Sequence, residues 1–173
     1  SEIISTNPQK IVLSFGLLIT MLNFYLIFNI FNKKIFFKYH IEDFYLLLLA
    51  LFFIIIIYFN NFDLLNVIIS IFSSLSNSGI SLIENERNLS LFFLFITIIG
   101  GSLISNSSGI KLSRFYILIK ITSSEIIKLV SPNSVINKTI FSAENKITDE
   151  NVRISFLIFI SFFCSLFILS SFL

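Results

Sequence analysis

Uncharged apolar runs alternate with short polar stretches along this chain. A membrane-spanning helix needs about 20 mostly apolar residues, and residues 11–31 reach that length without a single charge. Residues 44–59 and 154–173 form two further apolar runs. The sequence is 55% hydrophobic with a mean hydropathy of +0.94. These features predict an all-α integral membrane protein.

Two polar stretches rich in serine and asparagine interrupt this apolar sequence and contain four of its five glycines. The first covers residues 76–79 and the second residues 100–109. Lipid offers no hydrogen bonds to the backbone, so non-helical polar backbone at membrane depth is expected only where it lines water or packs against protein. We therefore predict that the function resides in these two stretches.

The first polar stretch follows an apolar run, residues 64–72, that is about half as long as a membrane span. Asp63 stands where a helix N-cap is expected. A short helix followed by an extended Ser/Gly segment can direct backbone carbonyls at a dehydrated cation, and Gly79 permits the backbone angles that this needs. The negative end of the helix dipole would also favour a cation. The pattern predicts a re-entrant pore helix and filter loop.

The second polar stretch divides a third apolar span. Residues 89–99 begin this span and residues 110–121 continue it, so a broken helix is predicted. Alternatively, Gly100 and Gly101 form a close-packing spot between two helices. The polar run over residues 105–109 favours an unwound loop. Lys111, just beyond it, is a candidate for an electrostatic role in a pore, although an interfacial lysine is the commoner explanation.

The distribution of charge predicts the topology. Of the twelve Lys and Arg residues, all except Lys10 and Arg87 lie in residues 32–43 or 111–153. The excess of positive charge places both stretches in the cytoplasm. This arrangement requires residues 64–79 to enter and leave the membrane on the same side. The alternative is an outer loop, with residues 64–72 lying at the membrane surface.

In order and spacing, these motifs resemble the Trk/Ktr/HKT superfamily of potassium transporters, and specifically part of the membrane subunit of the bacterial Trk type. Members repeat a helix, pore-loop, helix unit four times. Residues 21–26, Met-Leu-Asn-Phe-Tyr-Leu, resemble the segment that closes the second unit. Residues 76–80 resemble the third filter, and residues 99–111 align without gaps to the glycine-rich gating loop of that unit. The chain departs from the family at Asn77, Ile80, Ile104, Ser107 and Ser108.

The resemblance implies a division of the chain and a set of site residues. Residues 1–43 would be the closing helix of one repeat with a cytoplasmic loop, residues 44–130 a complete repeat, and residues 131–173 a cytoplasmic linker with the first helix of the next repeat. The implied selectivity filter is Ser76, Asn77, Ser78, Gly79 and Ile80, with K⁺ held at the first four. The implied gating loop contains Gly100, Gly101, Ser102, Ser105, Asn106, Ser107, Ser108 and Gly109.

The resemblance also implies potassium uptake by a multi-pass protein of the bacterial inner membrane. The expected partners are the lipid bilayer, the remaining repeats of the same protein, a second copy in a homodimer, and a cytoplasmic nucleotide-binding regulatory subunit. K⁺ is the transported ion and no cofactor is expected. The sequence carries no arrangement typical of an enzyme or of nucleic-acid binding. Two alternatives stay open: a non-conducting membrane scaffold and a secondary transporter with broken helices.

Overall fold

The computed structural model of the protein describes residues 6–32, 40–59, 62–83, 87–131, 139–141 and 146–172. These residues contain seven α-helices and no strand, which confirms the all-α prediction. The basic loop residues Lys33, Lys34 and Lys38 and the connector at residues 84–86 lie outside this part of the chain. The helices are α1 (Asn7–Met21), α2 (Phe24–Phe31), α3 (Ile41–Tyr58), α4 (Leu64–Ser76), α5 (Arg87–Ile99), α6 (Leu112–Val130) and α7 (Asp149–Phe172).

Two of these helices, α3 and α7, are long and apolar enough to cross a membrane. The consecutive helices α1 and α2 meet the same test when they are taken together as one bent pair. Large apolar side chains on α3 and α7, such as Leu51 and Phe167, are exposed. Lipid is the surrounding in which such side chains are stable. The described residues therefore carry two candidate membrane spans, or three if the bent pair counts as one.

The apolar run predicted as the first span is broken in its middle. α1 ends at Met21, α2 begins at Phe24, and the two helices are bent by 112°. Asn23 caps α2, because its side-chain oxygen accepts a hydrogen bond from the N–H of Tyr25 at 2.9 Å. An asparagine side chain that satisfies a free N–H in this way favours the start of a new helix over the continuation of the old one.

The chain packs as two units, Ser1–Lys111 and Leu112–Leu173, each described by itself. In the first unit, α4 is central and packs against α1, α3 and α5. Eight of its 13 residues are buried, including Ile69, Ile71 and Leu75, which have no exposed surface. At 1.5 Å per residue, α4 is about 20 Å long, which is shorter than the hydrocarbon core of a bilayer. It is thus a buried short helix.

The second unit consists of α6, α7 and the residues described between them. α6 and α7 pack against each other. The ring of Tyr116 stacks on that of Phe141 with centroids 4.3 Å apart, and Lys120 donates to the carbonyl of Thr139 at 2.6 Å. The predicted non-helical stretch after residue 99 is found, since α5 ends at Ile99 and the next helix begins at Leu112. That helix continues to Val130, beyond the predicted residue 121.

A buried polar cluster holds α2 to the beginning of α3. Asp43, in the first turn of α3, is only 1% exposed, and one of its oxygens accepts from the N–H of Asn23 at 2.9 Å. Its other oxygen lies 3.4 Å from Nδ1 of His40. His40 Nε2 in turn lies 3.1 Å from the side-chain amide nitrogen of Asn29. His40 is therefore buried in this cluster, although its sequence neighbours suggested an open basic loop.

Asp43 and Asp63 form a matched pair for testing this cluster, because each lies near the start of a helix. Asp63 is the exposed N-cap of α4, and its carboxylate makes no capping hydrogen bond. Replacing Asp43 with Ala should lower the free energy of unfolding by about 1–3 kcal/mol, since it leaves the part-buried N–H of Asn23 without its partner. Asp63→Ala should change it by less than about 0.5 kcal/mol. Reversible unfolding in detergent measures both, and equal losses would contradict this role of Asp43.

Candidate functional site

The C-terminus of α4 ends in a Schellman-type turn at Asn77. Asn77 has a left-handed backbone with φ +56°, and its N–H donates to the carbonyl of Ser74 at 3.3 Å. The N–H of Ser78 donates to the carbonyl of Ser73 at 3.0 Å. These two bonds are the pair that defines this helix end. Ser76 was predicted as the first residue of an extended segment, but it is the last residue of the helix.

After Asn77 the backbone leaves the helix, and its alternate N–H groups point back to α4. The N–H of Ile80 donates to the hydroxyl of Ser73 at 2.7 Å, and the N–H of Leu82 donates to the hydroxyl of Ser70 at 3.4 Å. Both serines are almost fully buried, at 2% and 1% exposure. They are three positions apart in the helix, so they share one face of α4. Ser70 and Ser73 therefore fix the position of the segment over residues 78–82.

The carbonyl oxygens of residues 77–80 differ from these N–H groups in their hydrogen bonding. Within the part of the chain that the structure describes, none of these four oxygens accepts a hydrogen bond. The side-chain amide of Asn77 is also turned away from them, since it donates to the carbonyl of Thr97 in α5 at 3.1 Å. The N–H groups of Asn77, Ser78 and Ile80 are thus held on α4 while the carbonyl oxygens of the segment are open, an arrangement suited to a cation.

Gly79 is required by the backbone angle rather than by lack of space. Its φ is +74°, and a Cβ built there would meet nothing within 4 Å. Side chains rarely adopt this left-handed region, because Cβ then approaches the following carbonyl. Gly79 also borders a cavity of about 270 Å³, together with Ser81 on the same segment and Phe93 and Thr97 on α5.

Residues 100–109 form a loop whose two ends touch each other. The N–H of Ile110 donates to the carbonyl of Ile98 at 3.1 Å. Gly100 and Gly109 both have positive φ, at +68° and +96°. A Cβ on Gly100 would lie 2.4 Å from the carbonyl oxygen of Ser108, and one on Gly109 would lie 3.0 Å from Gly100 Cα. Glycine at both ends therefore allows the first and last residues of the loop to pack directly against each other.

Hydroxyl groups hold the interior of this glycine loop. Ser107 Oγ accepts from the N–H of Gly101 at 2.9 Å, and Ser105 Oγ donates to the carbonyl of Ser102 at 2.7 Å. The two hydroxyls are also 2.7 Å from each other. The ammonium of Lys111 donates to the carbonyl oxygens of Ser105 and Ser107. Lys111, expected as an interfacial lysine, thus contacts the loop.

The glycine loop is docked on the break between α1 and α2. The N–H of Ser102 donates to the carbonyl of Met21 at 3.0 Å, and the N–H of Phe24 donates to the carbonyl of Ile104 at 2.9 Å. The N–H of Leu103 donates to the carboxylate of Glu42 at 3.0 Å. Helix ends leave backbone N–H and C=O groups without partners. Here the α1–α2 break and the loop provide hydrogen-bond partners for each other's backbone groups.

The two predicted polar stretches meet at Asn77. Its amide nitrogen would lie 3.3 Å from a Cβ on Gly109, in addition to its hydrogen bond with Thr97. The structure therefore brings one end of the glycine loop against the end of α4. A wider recess of about 670 Å³ is bordered by Leu103, Ile104 and Ser105 of the loop and by residues of α1 and α2. Each stretch thus borders open volume.

Several positioning residues were missed in the sequence. Ser70 and Ser73 gave a visible signal, because hydroxyls spaced three apart on one face of an otherwise apolar helix need partners. Glu42 and Asp43 were considered only as part of the stretch over residues 32–43, and Thr97 was not singled out. Their partners lie far away in sequence, as for Glu42 and Leu103, so no local pattern reveals them.

No protein-family model matches this chain, and a search of the curated proteins finds no match either. The filter and gating-loop residues implied by the resemblance therefore stay predictions.

Gly101 and Gly16 provide a matched test of the docking between the loop and the α1–α2 break. A Cβ on Gly101 would lie 2.3 Å from Ser107 Oγ and 2.7 Å from the carbonyl oxygen of Met21, whereas one on Gly16 would meet nothing within 4 Å. Gly101→Ala should therefore destabilise the protein by about 1–3 kcal/mol through overpacking. Gly16→Ala, inside α1, should stabilise it by about 0.5–1 kcal/mol. Thermal unfolding in detergent distinguishes the two, and a tolerated Gly101→Ala would contradict the tight docking.

Proposed function

We propose that the protein takes up potassium ions across the cell membrane through a filter-and-gate pore, as part of a Trk-type transporter of the bacterial inner membrane. The observation that carries this proposal is the segment over residues 77–80, whose carbonyl oxygens are open while the N–H groups of Ser78 and Ile80 are held by α4. In this proposal α4 is a re-entrant pore helix, and these carbonyls replace part of the water shell of the ion.

The chemistry of the segment favours a monovalent cation. Carbonyl oxygens carry partial negative charge, and the C-terminal end of α4 adds the negative end of a helix dipole. The side chains of Ser76, Asn77, Ser78, Gly79 and Ile80 are all uncharged. A site of neutral oxygens attracts a cation without the strong retention of a carboxylate cage, which allows the ion to leave again.

The glycine loop is the proposed gate. It follows α5 directly and lies beside the proposed filter, because the amide nitrogen of Asn77 would be 3.3 Å from a Cβ on Gly109. Its attachment to the α1–α2 break consists of individual hydrogen bonds, such as that from Ser102 to Met21. Hydrogen bonds of this kind can be exchanged for water at modest net cost. A small shift of the loop would therefore widen or narrow the passage.

A single segment of this kind cannot surround an ion. The proposal therefore includes three further filter segments, from the remaining repeats of the same protein, within a homodimer in which each protomer holds its own pore. It also includes a nucleotide-binding regulatory subunit on the cytoplasmic face, contacting the basic stretch over residues 111–153.

A non-conducting membrane scaffold is the second candidate. It is favoured by the tight fit of Gly101, whose Cβ position lies 2.7 Å from the carbonyl oxygen of Met21. Small residues that allow such close approach are common wherever helices pack in membranes. In a scaffold the glycines would serve packing alone, and the open carbonyls of residues 77–80 would have no role.

Rubidium uptake separates the two candidates. The complete protein is expressed in a host that lacks its own potassium uptake, as wild type, Gly79→Ala and Gly16→Ala. Wild type and Gly16→Ala should take up rubidium well above the empty host. Gly79→Ala should lose about tenfold in rate, because a left-handed backbone costs a side chain about 1–2 kcal/mol. Since space is available at Gly79, membrane abundance should be unchanged. Uptake by wild type that equals the empty host supports the scaffold, and undiminished flux in Gly79→Ala sinks the filter role.

A further inference from the structure

Lys111 places its ammonium group among oxygen atoms of the glycine loop. Nζ lies 3.2 Å from the carbonyl oxygen of Ser105, 3.3 Å from its hydroxyl, and 3.4 Å from the hydroxyl of Ser107. The carbonyl oxygen of Ser107 is a fourth contact. An ammonium has three N–H donors, so four oxygens exceed the number of its hydrogen bonds. The group is surrounded in the way that a coordinated ion is.

The hydroxyl protons of Ser105 and Ser107 are both committed elsewhere. Ser105 Oγ donates its proton to the carbonyl of Ser102. In its 2.7 Å contact with Ser107 Oγ it must therefore accept, which makes Ser107 the donor there. Because a hydroxyl has one proton and two lone pairs, both oxygens can offer only lone pairs to Lys111. These four oxygens of the glycine loop are thus neutral acceptors facing a positive charge.

The site is partly buried. Ser107 is 6% exposed, and its oxygen also accepts from the N–H of Gly101. Lys111 has a left-handed backbone with φ +73°. This conformation is uncommon for a residue other than glycine, and it persists where the surrounding contacts determine it. The backbone turn at Lys111 and the position of its ammonium are therefore parts of one arrangement.

We propose that residues 105–107 build a site for a monovalent cation, and that the ammonium of Lys111 occupies it as a tethered ion. Neutral carbonyl and hydroxyl oxygens are the ligands that suit K⁺ and ions of similar charge and size. The tethered charge cross-links Ser105 and Ser107 and holds the glycine loop in its docked form. When the ammonium is withdrawn or removed, the same oxygens are available to a free K⁺, Rb⁺ or NH₄⁺ ion. This site is separate from residues 77–80 and does not depend on ion flux.

Replacing the lysine with an uncharged residue should make the stability of the protein depend on these ions. The protein is purified in detergent as wild type, Lys111→Met and Lys10→Met. Lys10 is the matched control, because its ammonium donates to a single amide oxygen of Asn66 at 2.8 Å. Thermal unfolding is followed in the chlorides of K⁺, NH₄⁺ and N-methylglucamine at constant ionic strength.

The expected result is a rise in melting temperature for Lys111→Met, relative to the other two proteins, of about 3–6 °C when K⁺ or NH₄⁺ is tenfold above its dissociation constant. Potassium binding at residues 77–80 would shift all three proteins alike. If residues 77–80 do not bind K⁺, the melting temperature shift common to all three proteins is absent. The additional rise in melting temperature of Lys111→Met is still expected. Equal salt responses in Lys111→Met and Lys10→Met would overturn the tethered-ion site.

A second measurement applies if Lys111→Met unfolds during purification. Membranes are then solubilised throughout in K⁺ or throughout in N-methylglucamine, and the folded yield is compared. Recovery in K⁺ alone supports the site, and equal loss in both solutions contradicts it. Lys111→Arg, which keeps the charge, should show the salt response of wild type in the same assay.

Discussion

The pairing of backbone groups where helices break is the interaction on which this fold depends. An unpaired N–H or C=O in apolar surroundings costs several kcal/mol, and two breaks occur in the first unit: one between α1 and α2, the other after α5. Each supplies what the other lacks, through the bonds of Ser102 with Met21 and of Phe24 with Ile104. The buried carboxylate of Asp43 pairs the remaining N–H at Asn23. The bend and the glycine loop therefore stabilise each other.

Residues 77–80 differ from these paired helix breaks in their backbone hydrogen bonding. Their carbonyl oxygens are open among the described residues, although the N–H groups of Ser78 and Ile80 are held by α4. The glycine loop shows the reverse, since carbonyl oxygens of Ser105 and Ser107 face a built-in positive charge. In the proposed pore, an open carbonyl site therefore precedes a site that already holds a cation. Asn77 lies between the two stretches, since its amide donates to Thr97 in α5 and would be 3.3 Å from a Cβ on Gly109.

The sequence predicted those features that depend on local composition and length. The helical class, the interruption after Ile99 and the short helix after Asp63 follow from apolar run length and from glycine, and each is found. The break at Asn23 was not predicted, because an uncharged apolar run hides a cap whose partner, Asp43, lies 20 residues away. The helical state of Ser76 and the ligands of Lys111 were likewise missed, since both depend on contacts that form only after packing.

The open carbonyls of residues 77–80 can be observed directly by solid-state NMR of the complete protein in bilayers. Carbonyl-¹³C glycine labels every glycine of the protein, and the Gly79→Ala and Gly16→Ala variants assign the resonances of these two. Gly16 lies inside α1 and serves as an internal reference. Spectra are recorded as K⁺ replaces N-methylglucamine at constant ionic strength. A saturable shift of the Gly79 carbonyl, with Gly16 unchanged, is the predicted result. A Gly79 carbonyl that does not respond to K⁺ would contradict the assignment of this segment as a cation filter.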